Sequence, residues 1–140
     1  MRYHDLVDRV QEKGELGSHE EAVTAIQATL STLGECLYRT ERRHLASQLP
    51  KEAKTFLSEQ ADPTVTRQEA ACHTLQAFYD RVGARAEVTR GRAVEQAKAV
   101  MAVLSEAVPP GEWQHIVAEL PKEYGELLTG GSEGSTEAPA

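Results

Sequence analysis

Aromatic residues, cysteines and basic charge are all scarce in this sequence of 140 residues. Only 5% of the residues are aromatic, so a folded core has to be built mainly from leucine, valine, alanine and isoleucine. The two cysteines, Cys36 and Cys72, are too few for a disulfide framework or a four-thiolate zinc site. Reduced thiols and a cytoplasmic location are therefore expected. No apolar run approaches the roughly 18 residues of a membrane span, and the first residues lack the pattern of a signal peptide, so we expect no membrane insertion.

Acidic residues outnumber basic ones by 22 to 15, which gives a net charge of -7. This balance argues against general binding to nucleic acids or anionic membranes. Basic residues are concentrated in two stretches, namely Arg39, Arg42, Arg43 and His44 in the first, and Arg81, Arg85, Arg90, Arg92 and Lys98 in the second. Acidic residues are interleaved with the second stretch, which also lacks the aromatic residues typical of single-strand binders. Nucleic-acid binding is therefore not expected.

Apolar residues recur at helical spacing along most of the chain. In the first such segment Leu6 and Val10 lie on one face. Ser18 and Glu21 form a capping box, which predicts a long helix from about His19. The face that this helix is expected to bury consists of Ala22, Ile26, Leu30, Leu33 and Leu37.

Shorter helices are expected on both sides of Pro50, because proline lacks a backbone N–H and breaks the helix before it. Thr40 is expected to cap the helix before this break, and Thr66 with Glu69 forms a second capping box at the start of a longer helix. No stretch alternates with the period of a strand, and no Asn-Gly or Asp-Gly pair joins two β-branched runs. The sequence therefore predicts an all-α fold.

The second half of the sequence repeats the first. Shifting residues 22–57 by 71 positions aligns them with residues 93–128 and gives 12 identities in 36 positions, and residues further upstream align at a shift of 72. The block Leu-Pro-Lys-Glu occurs at 49–52 and again at 120–123. A chance origin does not explain so many matches.

This repeat predicts a compact helical bundle of about eight helices, built from two tandem four-helix repeats with pseudo-two-fold symmetry. The repeats are expected at 3–59 and 67–128, within one helical domain that spans residues 1–128. A two-unit array whose apolar face is covered by a partner chain is the alternative. Residues 129–140 have no apolar anchor and are expected to form a disordered tail.

The two repeats differ where their short helices begin. Residues 38–40 (Tyr-Arg-Thr) correspond to residues 109–111 (Pro-Pro-Gly), and Arg42 corresponds to Trp113. An exposed Trp113 would mark a protein interface, because tryptophan is enriched in binding hot spots. Alternatively, Trp113 covers the core at the start of its helix. The same two interpretations are open for Tyr38.

No arrangement of residues indicates an enzyme. The sequence has no Gly-x-Ser-x-Gly elbow and no glycine-rich loop after a strand. Cys72 and His73 are adjacent, so on a helix their side chains point about 100° apart and cannot face each other. Cys36 and Cys72 both lie near an apolar stripe, where a buried thiol acts as a small hydrophobe. No catalytic residue and no cofactor are therefore predicted.

The sharpest chemical hypothesis concerns two equivalent Glu-x-x-His pairs. Glu41 and His44 in the first repeat correspond to Glu112 and His115 in the second. This spacing places a carboxylate and an imidazole on one side of a helix, as in di-metal bundles, and a pseudo-two-fold axis could bring both pairs together. Such bundles also draw carboxylates from two further long helices, whereas the long helices here have aliphatic cores. An exposed Glu–His pair on a short helix is therefore favoured over a metal site.

Four short blocks of the sequence are distinctive. They are Arg-Tyr-His-Asp-Leu-Val-Asp-Arg-Val at 2–10, Glu-Glu-Ala at 20–22, Gln-Leu-Pro at 48–50 and Glu-Leu-Pro at 119–121. Together they resemble a bacterial family known as domain of unknown function 2267, over residues 3–128. The resemblance implies a bacterial, cytoplasmic, helical protein, and it brings no activity, cofactor or catalytic residue with it.

From these patterns we expect a non-catalytic protein-interaction or regulatory module. Such a module would bind a protein partner, or a second copy of itself, through a helical face, with Trp113 and Tyr38 as candidate contact residues. The alternative is a small-ligand or metal-binding protein that uses the two Glu-x-x-His pairs.

Overall fold

The computed structural model describes residues 2–37, 39–59 and 74–128, with Arg39 described by its backbone alone. Within these residues every regular element is helical, which confirms the predicted all-α fold. The elements are α1 (Tyr3–Lys13), α2 (His19–Cys36), α3 (Arg39–Ala46), α4 (Lys51–Ser58), α5 (Leu75–Ala86), α6 (Arg90–Ala107), α7 (Pro110–Glu119), a 3-10 turn (Lys122–Tyr124) and α8 (Gly125–Leu128). Tyr38, the capping box at Thr66 and Glu69, and the predicted tail at 129–140 lie outside the described residues. None of the helices described is long and apolar enough to cross a membrane.

The two long helices, α2 and α6, lie at the centre and pack against each other. α2 also packs against α1, α4 and α5, and α6 also packs against α1, α5 and α8. The predicted buried face of α2 is confirmed, because all five of its residues, from Ala22 to Leu37, are at most 1% exposed. Full burial of a side chain of leucine size contributes about 1.5–3 kcal/mol, so these central stripes dominate the stability of the fold.

A side-chain cap precedes each of the three longest helices, which are α2, α5 and α6. The hydroxyl of Ser18 accepts a hydrogen bond from the backbone N–H of Glu21 at 3.0 Å. The Glu21 carboxylate accepts from the N–H of Gly17 at 3.1 Å, one residue before the cap. Thr89 accepts from the N–H of Arg92 at 3.3 Å, and arginine has no acceptor that could complete a reciprocal box. Each such cap stabilises its helix by about 1 kcal/mol.

Two predicted helix starts are wrong. α3 begins at Arg39, so Thr40 lies inside its first turn and does not cap it. α5 begins at Leu75, because Thr74 has an extended backbone (φ -61°, ψ 160°) and its hydroxyl accepts from the N–H of Ala77 at 3.1 Å. An unbroken helix cannot pass through Thr74 with this conformation.

Cys36 is disulfide-bonded, which corrects the expectation of a free buried thiol. The only other cysteine in the sequence is Cys72, which lies outside the described residues. Cys36 ends α2, is 3% exposed, and lies 3.7 Å from the hydroxyl of Tyr124. The tyrosine donates in this contact, because a disulfide sulfur has no hydrogen. A count of cysteines could not reveal the bond, since disulfide formation depends on the distance between the two side chains in the fold.

Gly34 allows α4 to approach α2 very closely. A Cβ atom at this position would lie 1.9 Å from the backbone carbonyl oxygen of Leu57. The backbone of α4 therefore occupies the space that any other side chain would need. The corresponding residue in the second half of the sequence is Ser105, and the residues corresponding to α4 are 122–129, of which the 3-10 turn and α8 cover 122–128. The first half therefore has an α-helix where the second half has a 3-10 turn followed by a short α-helix.

Ion pairs join helices from the two halves of the sequence. Glu106 of α6 contacts Arg9 and Lys13 of α1. Glu35 of α2 contacts Arg85 of α5 at 3.1 Å. In the repeat alignment Glu35 corresponds to Glu106, and Lys13 corresponds to Arg85. The two contacts therefore link equivalent residues, although the internal symmetry itself stays a prediction.

Tyr79 and Tyr124 are buried, and burial raises the pKa of both phenols above the ordinary tyrosine value. The hydroxyl of Tyr79 donates to the Glu126 carboxylate at 3.0 Å, which raises its pKa further. The charge of Glu123 acts in the same direction on the pKa of Tyr124. The folded chain therefore keeps both phenolic protons at pH values where the unfolded chain loses them.

We expect the free energy of unfolding to fall as the pH rises above about 10, because tyrosines of the unfolded chain ionise there while the buried ones stay neutral. Each buried phenol can lower the free energy of unfolding by up to about 1.4 kcal/mol per pH unit above that pH. Urea denaturation at about pH 8 and about pH 11 measures the fall. The double variant Tyr79→Phe, Tyr124→Phe should lose most of it, and an equally steep fall in that variant would assign the effect to other groups.

Candidate protein-interaction face

The short helices α3 and α7 pack against each other and follow the C-terminal ends of α2 and α6. The residue after each long helix is extended, Leu37 with φ -98° and ψ 145°, and Val108 with φ -100° and ψ 136°. Pro109 is the last residue before α7, and Pro110 takes the first helical position, where its fixed φ and missing N–H are favourable. These connections place the two short helices side by side.

One buried side chain holds each short helix to the core. Leu45 of α3 and Ile116 of α7 are both 0% exposed and belong to the main hydrophobic cluster. The other described side chains of these helices are half-buried or exposed. α3 and α7 therefore bury far less than the central helices, and their outer sides form an accessible surface.

Trp113, the single tryptophan of the sequence, lies near the start of α7. It is half-buried and packs against the hydrophobic core. Val117, which is one helical turn later on the same side, is half-buried as well. Part of the indole therefore supports the core, while the remainder is accessible from solvent.

The two short helices carry opposite charge. α3 contains three arginines and one glutamate, whereas α7 contains two glutamates and neither arginine nor lysine. Arg43 and His44 of α3 are exposed, and Glu112 of α7 is half-buried. The surface that α3 and α7 share is therefore basic on one helix and acidic on the other.

Arg42 has a structural role that the sequence did not reveal. Its guanidinium donates hydrogen bonds to the carbonyl oxygens of Gly34 at 3.4 Å and Leu37 at 3.1 Å. The last carbonyls of an α-helix have no partner within the helix, so these bonds stabilise the end of α2. The position of a basic residue just beyond a helix end is the signal that could have indicated this role.

The two predicted Glu-x-x-His pairs lie on α3 and α7, and the structure describes each pair separately. Within the first pair, His44 Nδ1 lies 4.0 Å from Glu41 Oε1, and that oxygen is buried without a hydrogen-bond partner among the described residues. In the second pair, Glu112 is half-buried and His115 is exposed. Among the residues that the structure describes, no three His, Cys, Asp or Glu side chains are grouped so that they could hold a metal ion. The four residues therefore form no common cluster.

Most of the second basic stretch is paired with carboxylates. The pairs are Arg85–Glu35, Arg90–Asp80, Arg92–Glu21 and Lys98–Glu126. Arg90 makes the best-defined contact, because its Nε and Nη2 donate to both oxygens of Asp80 at 2.8 Å. Such a bidentate pair is stronger than a single hydrogen bond, so Asp80 competes with any external anion for Arg90.

The sequence of this chain matches a protein family over almost its whole length. No curated protein gives a significant match. A family model described as "Uncharacterized conserved protein (DUF2267)" matches residues 3–127, close to the 3–128 over which the sequence blocks resembled that family. The chain therefore belongs to the DUF2267 family.

Proposed function

We propose that the protein is a non-catalytic interaction module that binds a second copy of its own chain through the α3–α7 face. This face comprises the accessible sides of α3 and α7 and includes Trp113, Arg43, His44 and Glu112. The observation that carries the proposal is the half-buried Trp113, which is fixed to the core on one side and accessible on the other.

A tryptophan held in this way suits an interface. Hot spots for protein binding are enriched in tryptophan, and they combine a large contact area with little conformational freedom to lose. Trp113 follows Pro109 and Pro110, whose fixed φ angles restrict the backbone at the start of α7. The indole is therefore already oriented before a partner arrives, which lowers the entropic cost of binding.

Charge favours a second copy of the chain as the partner. A dimer with two-fold symmetry brings the same surface from both chains together, so every contact between two residues across the interface occurs twice. When α3 of one chain faces α7 of the other, the exposed Arg43 approaches the acidic side that carries Glu112. The surface is thus complementary to itself, although the chain as a whole has a net charge of -7.

The experiment that tests this proposal is sedimentation equilibrium of the wild type and the variant Trp113→Ala. The wild type should show a monomer–dimer equilibrium, and loss of the indole should weaken it by about 30-fold, which corresponds to about 2 kcal/mol. Tyr3→Ala is the matched control, because Tyr3 is also a half-buried aromatic residue but lies on α1, which packs against α2, α4 and α6. A strictly monomeric wild type, or equal dimerisation of wild type and Trp113→Ala, would refute the proposal.

A charge exchange tests the relative orientation of the two chains. Arg43→Glu and Glu112→Arg should each weaken self-association, because each places like charges in the interface. An equimolar mixture of the two variants should form a mixed dimer in which one of the two contacts is restored with reversed charges. Failure of the mixture to associate better than either variant alone would rule out the α3-to-α7 arrangement.

The metal-binding alternative lacks a comparable observation, because the described residues bring its four side chains into no common cluster. It stays a prediction with a direct test. In a titration with Zn²⁺, we expect the wild type and the double variant His44→Ala, His115→Ala to behave alike. Neither should show saturable binding that depends on these two histidines. Stoichiometric binding lost in that variant would favour the alternative over the interaction module.

A further inference from the structure

A polar groove opens along one side of α2, and none of its described lining residues belongs to α3 or α7. Its cavity has a volume of about 220 Å³. The residues that line it are Thr24, Gln27, Ala28 and Ser31 of α2, Glu59 after α4, and Arg85 of α5. The four residues from α2 have the spacing i, i+3, i+4 and i+7, which places them on a single face of the helix.

This face of α2 differs from its counterpart in the second half of the sequence. A helix face that meets two neighbouring helices is ordinarily apolar, whereas three of these four residues carry hydroxyl or amide groups. The corresponding residues of α6 are Glu95, Lys98, Ala99 and Ala102. The combination of Thr24, Gln27 and Ser31 therefore belongs to the first half alone and is not a requirement of the shared helical pattern.

Arg85 is held in place at one wall of the groove. Its Nη1 donates to the hydroxyl of Thr32 at 2.8 Å and to the carboxylate of Glu35 at 3.1 Å. The N–H groups on Nε and Nη2 make no hydrogen bond to a described residue. A guanidinium fixed in this way presents two parallel donors, which is the geometry that binds a carboxylate in bidentate fashion.

The opposite charge is supplied by Glu59. Its two carboxylate oxygens accept hydrogen bonds from Nε2 of Gln27 at 3.2 Å and 3.0 Å, which orients the carboxylate within the groove. The hydroxyl of Ser31 donates to the carbonyl oxygen of Ala28 at 3.2 Å, so its lone pairs remain as acceptors. The groove therefore offers a carboxylate, a hydroxyl oxygen and the amide oxygen of Gln27 to a donor group.

We propose that the polar groove binds a small zwitterion of the α-amino-acid class. The carboxylate of the ligand would bind Arg85, and its ammonium group would bind Glu59. The volume supports a small ligand, because about 220 Å³ is below the range of about 300–1,000 Å³ that is usual for drug-sized molecules. None of the described residues that line this groove belongs to α3 or α7, so the result of the binding test does not depend on whether the chain self-associates.

The test is isothermal titration of the full chain with the proteinogenic amino acids, one at a time. At least one should bind saturably, and propionate and ethylamine, which each carry one of the two charges, should bind at least about tenfold more weakly. Arg85→Lys keeps a positive charge near Glu35 but removes the planar fork, and Glu59→Gln removes the negative charge from an exposed residue. Each variant should weaken binding of the best amino acid by about tenfold or more.

Lys98→Gln is the matched control, because Lys98 occupies the position on α6 that corresponds to Gln27. It should bind the amino acid as the wild type does, and circular dichroism should show that all three variants are folded. Absence of saturable binding by every amino acid would overturn the proposal, as would unchanged affinity in both Arg85→Lys and Glu59→Gln. Propionate that binds as tightly as the best amino acid would also overturn it, because recognition of the ammonium group by Glu59 would then be absent.

Discussion

Replacing Gly34 by alanine should destabilise the protein by about 3 kcal/mol or more, the largest effect expected from a single methyl group in this fold. The new Cβ would lie 1.9 Å from the carbonyl oxygen of Leu57, far inside van der Waals contact. That oxygen belongs to the backbone, so it cannot rotate away as a side chain would. α4 has to move away from α2, and this movement would open the core around Leu57 and Ala53, which are both 0% exposed.

Gly91→Ala is the matched control for this prediction. Gly91 is also a helical glycine, but a Cβ atom there would meet no atom within 4 Å. Alanine has the higher helix propensity, so this variant should be neutral or more stable by up to about 1 kcal/mol. Urea denaturation gives both values from the midpoints and slopes of the transitions. A loss below about 1 kcal/mol for Gly34→Ala would contradict the close packing of α2 and α4.

Reduction of the disulfide should lower the free energy of unfolding by about 2–4 kcal/mol. Cys36 is disulfide-bonded, and Cys72 is the only other cysteine that the chain can supply. A bond within the chain would close a loop of about 36 residues and restrict the unfolded state accordingly. Denaturation of the wild type with and without a phosphine reductant measures the difference.

The double variant Cys36→Ala, Cys72→Ala controls for other effects of the reductant, since its stability should not respond to reduction. Thiol titration of the denatured, unreduced wild type should find no free thiol. Two free thiols per chain, or a wild type whose stability is unchanged by the reductant, would contradict the oxidised state of Cys36. A covalent dimer on a non-reducing gel would place the bond between chains instead.

The sequence allowed the helical architecture to be predicted because that architecture depends on local patterns. The spacing of Ala22, Ile26, Leu30, Leu33 and Leu37 indicated a single buried face, and all five residues are buried. The capping role of Ser18 was likewise readable, because the cap and its N–H donor are three residues apart. The start of α5 could not be predicted in the same way, because Thr74 and Thr66 are both acceptable caps by residue type alone.

The features that the sequence did not reveal depend on contacts between distant residues. Nothing near Gly34 indicates that Leu57 lies against it, and nothing near Arg85 indicates that Glu35 and Thr32 hold its guanidinium. The polar groove was missed for the same reason, since its described lining residues come from α2, from α5 and from Glu59 after α4. Helical periodicity gives the direction of a side chain on its own helix but not the residue that it meets.

Trp113 packs on the core, as one of the two interpretations of the sequence expected, and its role in an interface stays a prediction. The indole packs on the core and is still accessible, so it can contribute to folding and to binding. We propose self-association through the α3–α7 face because this face joins an anchored aromatic residue to complementary charge.

Native mass spectrometry of the untagged wild type over a series of concentrations tests that claim most directly. We expect two species, the chain of 15.3 kDa and a second species of twice that mass, whose share increases with concentration and falls in Trp113→Ala. A single species of 15.3 kDa at every concentration would contradict self-association through the α3–α7 face, and so would a dimer whose share is the same in Trp113→Ala as in the wild type.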